Sequence, residues 1–516
     1  MSLPVIQCAL DSLFSADQIV SGNRASVVSG AALDSRLLQR GDLYLALAGR
    51  ASHGLLHIAD AIEKGAVAVV AGVNDWAQHP DAVVRAEAAG LARVAVEGDV
   101  SRLAPEIADA VYATPASRLF LIGVTGTDGK TSVCRFISEA LSAAGRPCGY
   151  IGTVGWGMGE RLRENALTTP DVIMLRRMLF ELAAEGATHV AFEASSHALA
   201  EGRLEGLDIR VAVLTNFGRD HLDYHGSIEA YREAKAMLFA WPTLEAMVVN
   251  VGDAFGRSLL ASAPESVERW GFDSHDQGAL SDQSALAAAG VNLVCASDIE
   301  SRTGGLAFTL HDGDARTTVD SRLFGRFNVD NLLACHGVLR AAGVAANEAV
   351  HALSSVRPVA GRMEVFRPGD AGGPLAVVDY SHTPQSLAAA IDALRPHCAG
   401  ELWVVFGCGG DRDPGKRAPM AAAAAAGDRV IVTDDNPRTE SSAAIIADIL
   451  DGFSSDADYI VIADRGEAID HALDKANEAD VVLIAGKGHE DYQIIGHEKR
   501  PFSDRDTVAA ILREAS

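Results

Sequence analysis

The chain predicts an α/β protein of three domains, and three observations carry that prediction. An apolar run, Leu119 to Ile122, leads into Gly123-Val-Thr-Gly-Thr-Asp-Gly-Lys-Thr-Ser132. A segment with Val133, Phe136, Ile137, Ala140 and Leu141 on one helical face follows, which reads as strand, glycine-rich loop and helix. Beyond about residue 357, five apolar runs alternate with helical segments: Leu375–Tyr380, Leu402–Phe406, Arg429–Asp434, Tyr459–Ala463 and Val481–Ala485. That is the rhythm of an open, mostly parallel sheet, Rossmann-like in form. Finally, 516 residues suit about two to four domains.

Composition narrows the function. A formal charge of −25 argues against a general nucleic-acid or membrane-surface binder, while leaving room for anionic small substrates held by a few local donors. Seven scattered cysteines without metal spacing suggest a reducing compartment and no disulfide framework. The N-terminus lacks a basic region followed by an apolar core, and the alanine run Ala421–Ala426 is too short to span a bilayer. A cytoplasmic enzyme is expected.

The first domain, residues 1–115, reads as small and α/β. Gly41–Gly49 and Ala66–Ala71 are strand-like, with a short helix over His57–Gly65 between them. Asp34-Ser35-Arg36 precedes the first strand and by itself reads as a cap or turn. Tyr112–Ser117 reads as a linker.

The second domain, residues 116–356, carries the glycine-rich loop. A glycine turn between a strand and a helix N-terminus aims several backbone N–H groups at one spot, where the helix dipole favours negative charge. Lys130 adds a point charge for a terminal phosphate, and the Thr131 hydroxyl suits Mg2+. The general phosphate loop wants a glycine where Val124 stands; here the glycines fall at 123, 126 and 129. The plainer alternative is a tight turn with an exposed lysine.

Thr188–Glu193 is the next strand and ends at Glu193, before Ala194-Ser195-Ser196-His197. Ile209–Leu214 ends in Thr215-Asn216, followed by Asp220-His221-Leu222-Asp223. Ligands collect at the carboxyl ends of such strands, so Glu193 and His221 are candidates beside a metal–phosphate complex. Lys235, in a helix from Ser227 to Phe239, reads as a solvated lysine. Leu306–Leu310 and Thr317–Leu323 alternate around Gly/Asp turns and suggest an antiparallel excursion from a mostly parallel sheet. Asn328 and Asn331 lie three apart at the start of a helix running through Leu339. They either read a base edge together or cap the helix.

The third domain, residues 357–516, has charged turns after its strands: Gly407–Asp413, Asp434–Arg438 and Gly486–Glu490. Three such turns in one sheet would line one crevice.

Taken together, these motifs resemble the Mur ligases of peptidoglycan synthesis. The resemblance rests on Gly126-Thr-Asp-Gly-Lys-Thr-Ser132, Glu193–His197, Thr215-Asn216 and Asp220–Asp223, and extends through Gly325–Asn331, Gly361-Arg362 and Asp379–Pro384. It covers nearly the whole chain, and it accounts for the glycine spacing. The family usually has asparagine where this chain has Asp128.

The resemblance implies an ATP-dependent amide ligase working through an acyl phosphate. Gly123, Thr125, Gly126, Thr127, Asp128, Gly129, Lys130, Thr131 and Ser132 would hold ATP phosphates, Asn328 and Asn331 the adenine, Arg362 the phosphates and Asp379 the ribose. Thr131 and Glu193 would bind one Mg2+; His221 and Lys235, the latter carboxylated by carbon dioxide to a carbamate, would bind a second. The first domain would bind a UDP-sugar through Leu33, Ser35, Arg50, Ala51 and Ser52, and Thr168, Thr169, Ser195, Glu201 and Arg203 would touch a muramoyl peptide. Relatives often have asparagine where Leu167 stands and glutamine at Glu201.

Asp435-Asn436-Pro437-Arg438 resembles the signature of the members that add meso-diaminopimelate to UDP-MurNAc-L-Ala-D-Glu. Arg412 and Arg438 would grip carboxylates, which arginine binds bidentately, and Glu490 the distal ammonium, beside Gly486. The resemblance further implies a monomer acting on small molecules, without nucleic acid or membrane. A lysine-adding or folylpolyglutamate-type ligase is the nearest alternative, and a non-catalytic nucleotide-binding regulator the distant one.

Overall fold

The computed structural model describes residues 7–49, 52–112, 118–165, 167–274, 283–302, 304–367 and 373–514. Arg50, Ala51 and most of the expected linker lie outside them. The chain forms two compact units. One comprises Met1–Thr125, Leu141–Val213 and Glu229–Met247; the other comprises Gly126–Ala140, Leu214–Ile228 and Val248–Ser516.

In the first unit an N-terminal sheet runs in the order Ile19–Ser21, Ala92–Val96, Ala68–Gly72, Asp42–Leu45, Gly30–Ala32. Its first pair is antiparallel and the others are parallel. Side chains alternate across a strand, so Leu43, Leu45, Val70 and Val94 enter one core while Tyr44, Val69 and Ala71 enter the other. Both faces are therefore covered, as a parallel sheet requires. The helix Val172–Ala184 packs Val172 and Ile173 into the first of these cores. Its Arg176, wholly buried, donates to Asp109 at 2.6 Å and to the Glu205 carbonyl at 2.7 Å.

The same unit places Phe120–Thr125 parallel to His189–Glu193, with Glu193 opposite Val124. His189–Glu193 also pairs in parallel with Cys148–Gly152, from which an antiparallel meander through Gly155–Met158 to Arg161–Arg163 extends. That meander is not legible in the sequence, because Gly149, Gly152, Gly155 and Gly157 dilute its alternation.

In the second unit the expected antiparallel excursion is present and longer than its sequence pattern. Val291–Arg302, Gly305–Asp312 and Ala315–Ser321 pair antiparallel, with a register shift between Ser297 and Glu300. The helix Phe327–Ala341 follows, and from Asn328 to Leu339 only Asp330 is not buried.

The C-terminal sheet has the order Glu364–Phe366, Leu375–Asp379, Val481–Ala485, Leu402–Phe406, Arg429–Val432, Tyr459–Val461. Only its Glu364–Phe366 edge is antiparallel. Val377, Val404, Phe406 and Leu483 enter one core, and Val378, Val405 and Ile484 the other. All five strands read from the sequence are there. A hairpin, Tyr492–Ile495 with Glu498–Pro501, is added beyond them. Among the described residues no helix is long and apolar enough to cross a membrane, and all seven cysteines are free thiols.

One buried ion pair braces the loop end of this sheet. Arg465 and Asp504, both fully buried, join two helices through contacts of 2.7 Å, while Arg465 also donates to the Ala485 carbonyl at 2.9 Å. Replacing Asp504 by Ala strands the guanidinium without its counter-charge, so urea unfolding is expected to show a loss of about 3–5 kcal/mol.

Candidate active site

The strand Phe120–Thr125 ends where the glycine-rich loop begins, and the helix Lys130–Ala143 starts at its far side. Gly123 and Thr125 lie inside that strand, so the loop proper is Gly126–Gly129. Gly126 has φ +151°, and a Cβ there would collide with Thr215 Oγ1, so glycine is required. Thr215 and Asn216 clamp the turn: Thr215 Oγ1 and Asn216 Nδ2 donate to the Asp128 carbonyl at 2.5 and 3.1 Å, and Asn216 Oδ1 accepts the Asp128 N–H at 2.8 Å. Thr127 Oγ1 accepts from Gly218 N at 2.8 Å. Lys130 folds back to donate to the Gly126 and Thr127 carbonyls at 3.0 and 2.9 Å.

This loop forms one wall of a cavity of about 360 Å³. Asp128, Gly129, Ser132, Asn328, Asn331, Arg362 and Asp379 all line it, which brings most of the nucleotide residues expected from the sequence to one place. The two asparagines do not cap the helix. Asn328 Nδ2 donates to the Phe324 carbonyl at 2.7 Å and Asn331 Nδ2 to Asn328 Oδ1 at 2.8 Å, so they form a polar strip on one helix face. Leu323, Phe324, Phe327 and Phe136 supply apolar wall, a combination suited to a flat heterocycle with polar edges. Asp379 accepts from Met363 N at 2.7 Å and from Ser381 N at 3.0 Å. The Arg362 guanidinium lies 4.3 Å from the centre of the Tyr380 ring.

The sequence pattern gave no sign of Tyr380 or His382 as cavity residues. Burial, with Glu490 adding, pushes the Tyr380 phenol up to about 12. Burial first and the Lys416 ammonium second hold the His382 imidazole below its ordinary range. His489, whose ring is 5.3 Å from that of Tyr380, is pushed down to about 4 by burial and then by Arg362. Both imidazoles are thus neutral near pH 7, and the fixed positive charge of the cavity wall is that of Arg362.

A second constellation surrounds Glu193 in the other unit. This carboxylate is buried and accepts from Tyr150 Oη at 2.8 Å, Thr153 N at 2.8 Å and Thr153 Oγ1 at 3.1 Å. Thr168 Oγ1 lies 3.1 Å from Thr153 Oγ1, and Thr169 Oγ1 donates to the Glu193 carbonyl at 2.6 Å and lies 3.1 Å from Ser195 Oγ. Arg203 donates to the Thr169 carbonyl at 2.7 Å and forks onto Glu201 at 2.5 and 2.9 Å. The predicted Thr168, Thr169, Ser195, Glu201 and Arg203 therefore form one network, with Tyr150 and Thr153 as members that sequence reasoning missed.

Lys235 corrects an expectation. It is not a solvated helix lysine: its side chain is buried, with Nζ 4.4 Å from the Tyr231 ring centre. In the other unit His221 is exposed, adopts φ +53° and sits 3.4 Å from Asp220. Among the described residues no three His, Cys, Asp or Glu side chains converge as a ready metal cage. In the N-terminal sheet Asp34 accepts from Arg36 N at 2.9 Å, the cap its sequence suggested, and Ser35 is buried with Oγ 3.5 Å from Asp60. Leu33 is half-buried, and Ser52 Oγ lies 3.3 Å from His57.

At the carboxyl ends of the C-terminal strands the three charged turns do converge. Asn436 Nδ2 donates to Glu490 at 2.9 Å, and Arg438, at φ +51°, donates to the Gly410 carbonyl at 2.7 Å. A Cβ on Gly409 would lie 2.8 Å from the Arg438 guanidinium and 3.7 Å from Arg412 Cγ, so both arginines flank this one glycine. Pro437 is buried. Five non-glycine residues among those described have positive φ, and four of them, His221, Met363, Asp411 and Arg438, are site residues or their immediate neighbours. Backbone strain of this kind concentrates at functional sites.

The family model described as Mur ligase middle domain matches residues 124–339, and that described as Mur ligase, glutamate ligase domain matches residues 361–488. The chain belongs to the Mur ligase family. A UDP-N-acetylmuramoyl-L-alanyl-D-glutamate–2,6-diaminopimelate ligase of Alkalilimnicola ehrlichii is 43% identical over 490 residues, covering 94% of this chain and 95% of that one. The Pseudomonas putida ligase of the same name is 44% identical over 483 residues, covering 93% and 94%. A solved structure of a ligase with that name is 32% identical, with a TM-score of 0.64 and 99% of each chain covered.

Asp128 stands where the resemblance expects asparagine, and its exposed carboxylate lines the cavity beside Gly129 and Ser132. Asp128→Asn removes one repulsive charge, and the KM for ATP is expected to fall by about fivefold at low salt, the effect shrinking as salt is added.

Proposed function

We propose that this Mur ligase joins meso-diaminopimelate to UDP-N-acetylmuramoyl-L-alanyl-D-glutamate with hydrolysis of ATP to ADP and phosphate. The observation that carries the reading is the C-terminal cluster. Two arginines flank Gly409 while Asp435 and Glu490 lie on the adjoining turns, a pattern of charges matched to an amino acid bearing both carboxylates and a distal ammonium. The relatives at 43% and 44% identity carry the corresponding name over almost their whole length.

In this reading the terminal carboxylate of the muramoyl dipeptide attacks the γ-phosphorus of ATP. The P–O bond to ADP breaks and an acyl phosphate forms. The unprotonated amine of diaminopimelate then attacks the acyl carbon, a tetrahedral intermediate forms, and phosphate leaves as the amide closes and the amine proton passes to solvent. Such chemistry depends on positioning and charge neutralisation more than on a protein nucleophile. The loop N–H groups, Lys130 and Arg362 bind the phosphates, and Asn328, Asn331 and Asp379 orient the nucleoside. Thr168, Thr169, Ser195, Glu201 and Arg203 orient the muramoyl peptide, with Leu33, Ser35, Arg50, Ala51 and Ser52 near the uridine nucleotide.

Mg2+ supplies charge neutralisation at the phosphoryl oxygens. Thr131 and Glu193 each offer an oxygen donor of the kind a hard cation prefers, and His221 and the carbamate of Lys235 are further candidate donors. The proposal divides the chain into a UDP-sugar domain to residue 115, an ATP domain to 356 and an amino-acid domain to the end, acting as a cytoplasmic monomer; the seven free thiols fit that compartment.

Phosphate release from ATP in the presence of UDP-MurNAc-L-Ala-D-Glu is expected to require meso-diaminopimelate, with L-lysine supporting less than one part in about a thousand, because lysine leaves a desolvated arginine unpaired. Arg438→Ala is expected to abolish that preference. Release indifferent to either amino acid would point to a nucleotide-binding regulator instead.

A further inference from the structure

The strand Val481–Ala485 is followed by Gly486 and then Lys487, whose side chain has no exposure to solvent. Its ammonium lies 3.1 Å from Asn436 Oδ1, 3.3 Å from Glu490 Oε2 and 3.4 Å from Asp435 Oδ1. An ammonium has three protons to donate, and here each has one acceptor. Asn436 closes the arrangement by donating to the same Glu490 oxygen at 2.9 Å and accepting from Ile494 N at 2.9 Å. Arg465, the other buried cation nearby, is committed to Asp504 and to the Asp434 and Ala485 carbonyls. Among the described residues Lys487 is the cation within 4 Å of both Asp435 and Glu490.

Asp435 and Glu490 stand on separate turns, and one buried ammonium between them ties both carboxylates and the Asn436 amide into a single arrangement. The formal charges leave the group one net negative, which suits a second ammonium arriving with substrate. We propose that Lys487 is a positioning residue for the amino-acid substrate: it holds the side chains of Asp435, Glu490 and Asn436 in one arrangement, and so sets the affinity for the distal ammonium of diaminopimelate without touching the reacting atoms. This rests on the C-terminal cluster being the amino-acid site.

The other groups facing the cluster do not replace it. Tyr380 and Tyr492 are both raised by burial first and Glu490 second, and Cys408 is pushed up to about 12 by burial, so all three are neutral near pH 7. Asp434 is raised by burial, against a hydrogen bond from Ser442. The Arg438 guanidinium is engaged with the Gly410 carbonyl.

The test is steady-state phosphate release by the full-length enzyme and by Lys487→Met and Lys487→Arg, varying each of the three substrates in turn between pH 6.5 and 9. In Lys487→Met the KM for diaminopimelate is expected to rise at least tenfold, with kcat and the other two KM values within threefold. Lys487→Arg, keeping the charge, should recover part of the loss. If Lys487→Met is unfolded by circular dichroism, Lys487→Gln, uncharged but still a donor, is read in the same way. An unaltered diaminopimelate KM, or all three KM values rising together, overturns the inference. A parent enzyme that prefers lysine overturns instead the amino-acid reading on which it rests.

Discussion

A parallel strand covered on both faces spends its backbone on its neighbours and its side chains on two apolar layers. Charged groups can then stand only where the strand ends and the chain breaks out. Nearly every polar residue of consequence here obeys that constraint. Phe120–Thr125 ends at the glycine-rich loop, His189–Glu193 at Glu193, Ile209–Leu214 at Thr215-Asn216, Leu375–Asp379 at Asp379, and Val481–Ala485 at Gly486-Lys487. The strands themselves are close to uniformly buried: Leu402–Phe406 and Val481–Ala485 have no exposed residue.

Holding the loops that leave such strands takes specific hydrogen bonds rather than bulk apolar packing. The turn at Gly126–Gly129 is fixed by Thr215 and Asn216 through the backbone of Asp128. The turn at Asp435–Arg438 is fixed by Gln493 donating to the Asp435 carbonyl at 2.7 Å and by the pairing of Arg438 N with the Ile494 carbonyl at 3.0 Å. The hairpin that carries Gln493 and Ile494 therefore acts as a brace for this turn. The positive φ of Arg438 is held by this bracing, and it keeps the guanidinium against Gly410 instead of letting it swing into solvent.

Charge is deployed locally against the overall balance. The chain carries a formal −25, yet the cavity beside the glycine-rich loop is lined by Arg362, and Arg412 and Arg438 flank Gly409 at the C-terminal strand ends. Net acidity discourages indiscriminate polyanion binding, while a few cations are placed at strand ends. Glu201, forked onto Arg203, shows the opposite adjustment, a carboxylate that tempers an arginine in the network around Glu193.

Much of the architecture was legible in the residues alone. The glycine spacing at 123, 126 and 129, the five apolar runs after residue 357, and the Asn328/Asn331 pair each impose their structure locally, through backbone torsion or side-chain period, and each is found where its pattern lies. The meander Cys148–Arg163 was not, because glycine carries no alternation to read. Nor were the states of the two lysines. Lys235 and Lys487 sit in sequence contexts that any surface lysine shares, and their burial is decided by what other segments fold over them. Tyr150 and Thr153 meet Glu193 from 43 and 40 residues away. Sequence by itself determined the family, the strand ends and the residue types gathered there. The tertiary structure alone decided which of those charges were withdrawn from water and given partners, because desolvation belongs to a neighbourhood and not to a residue.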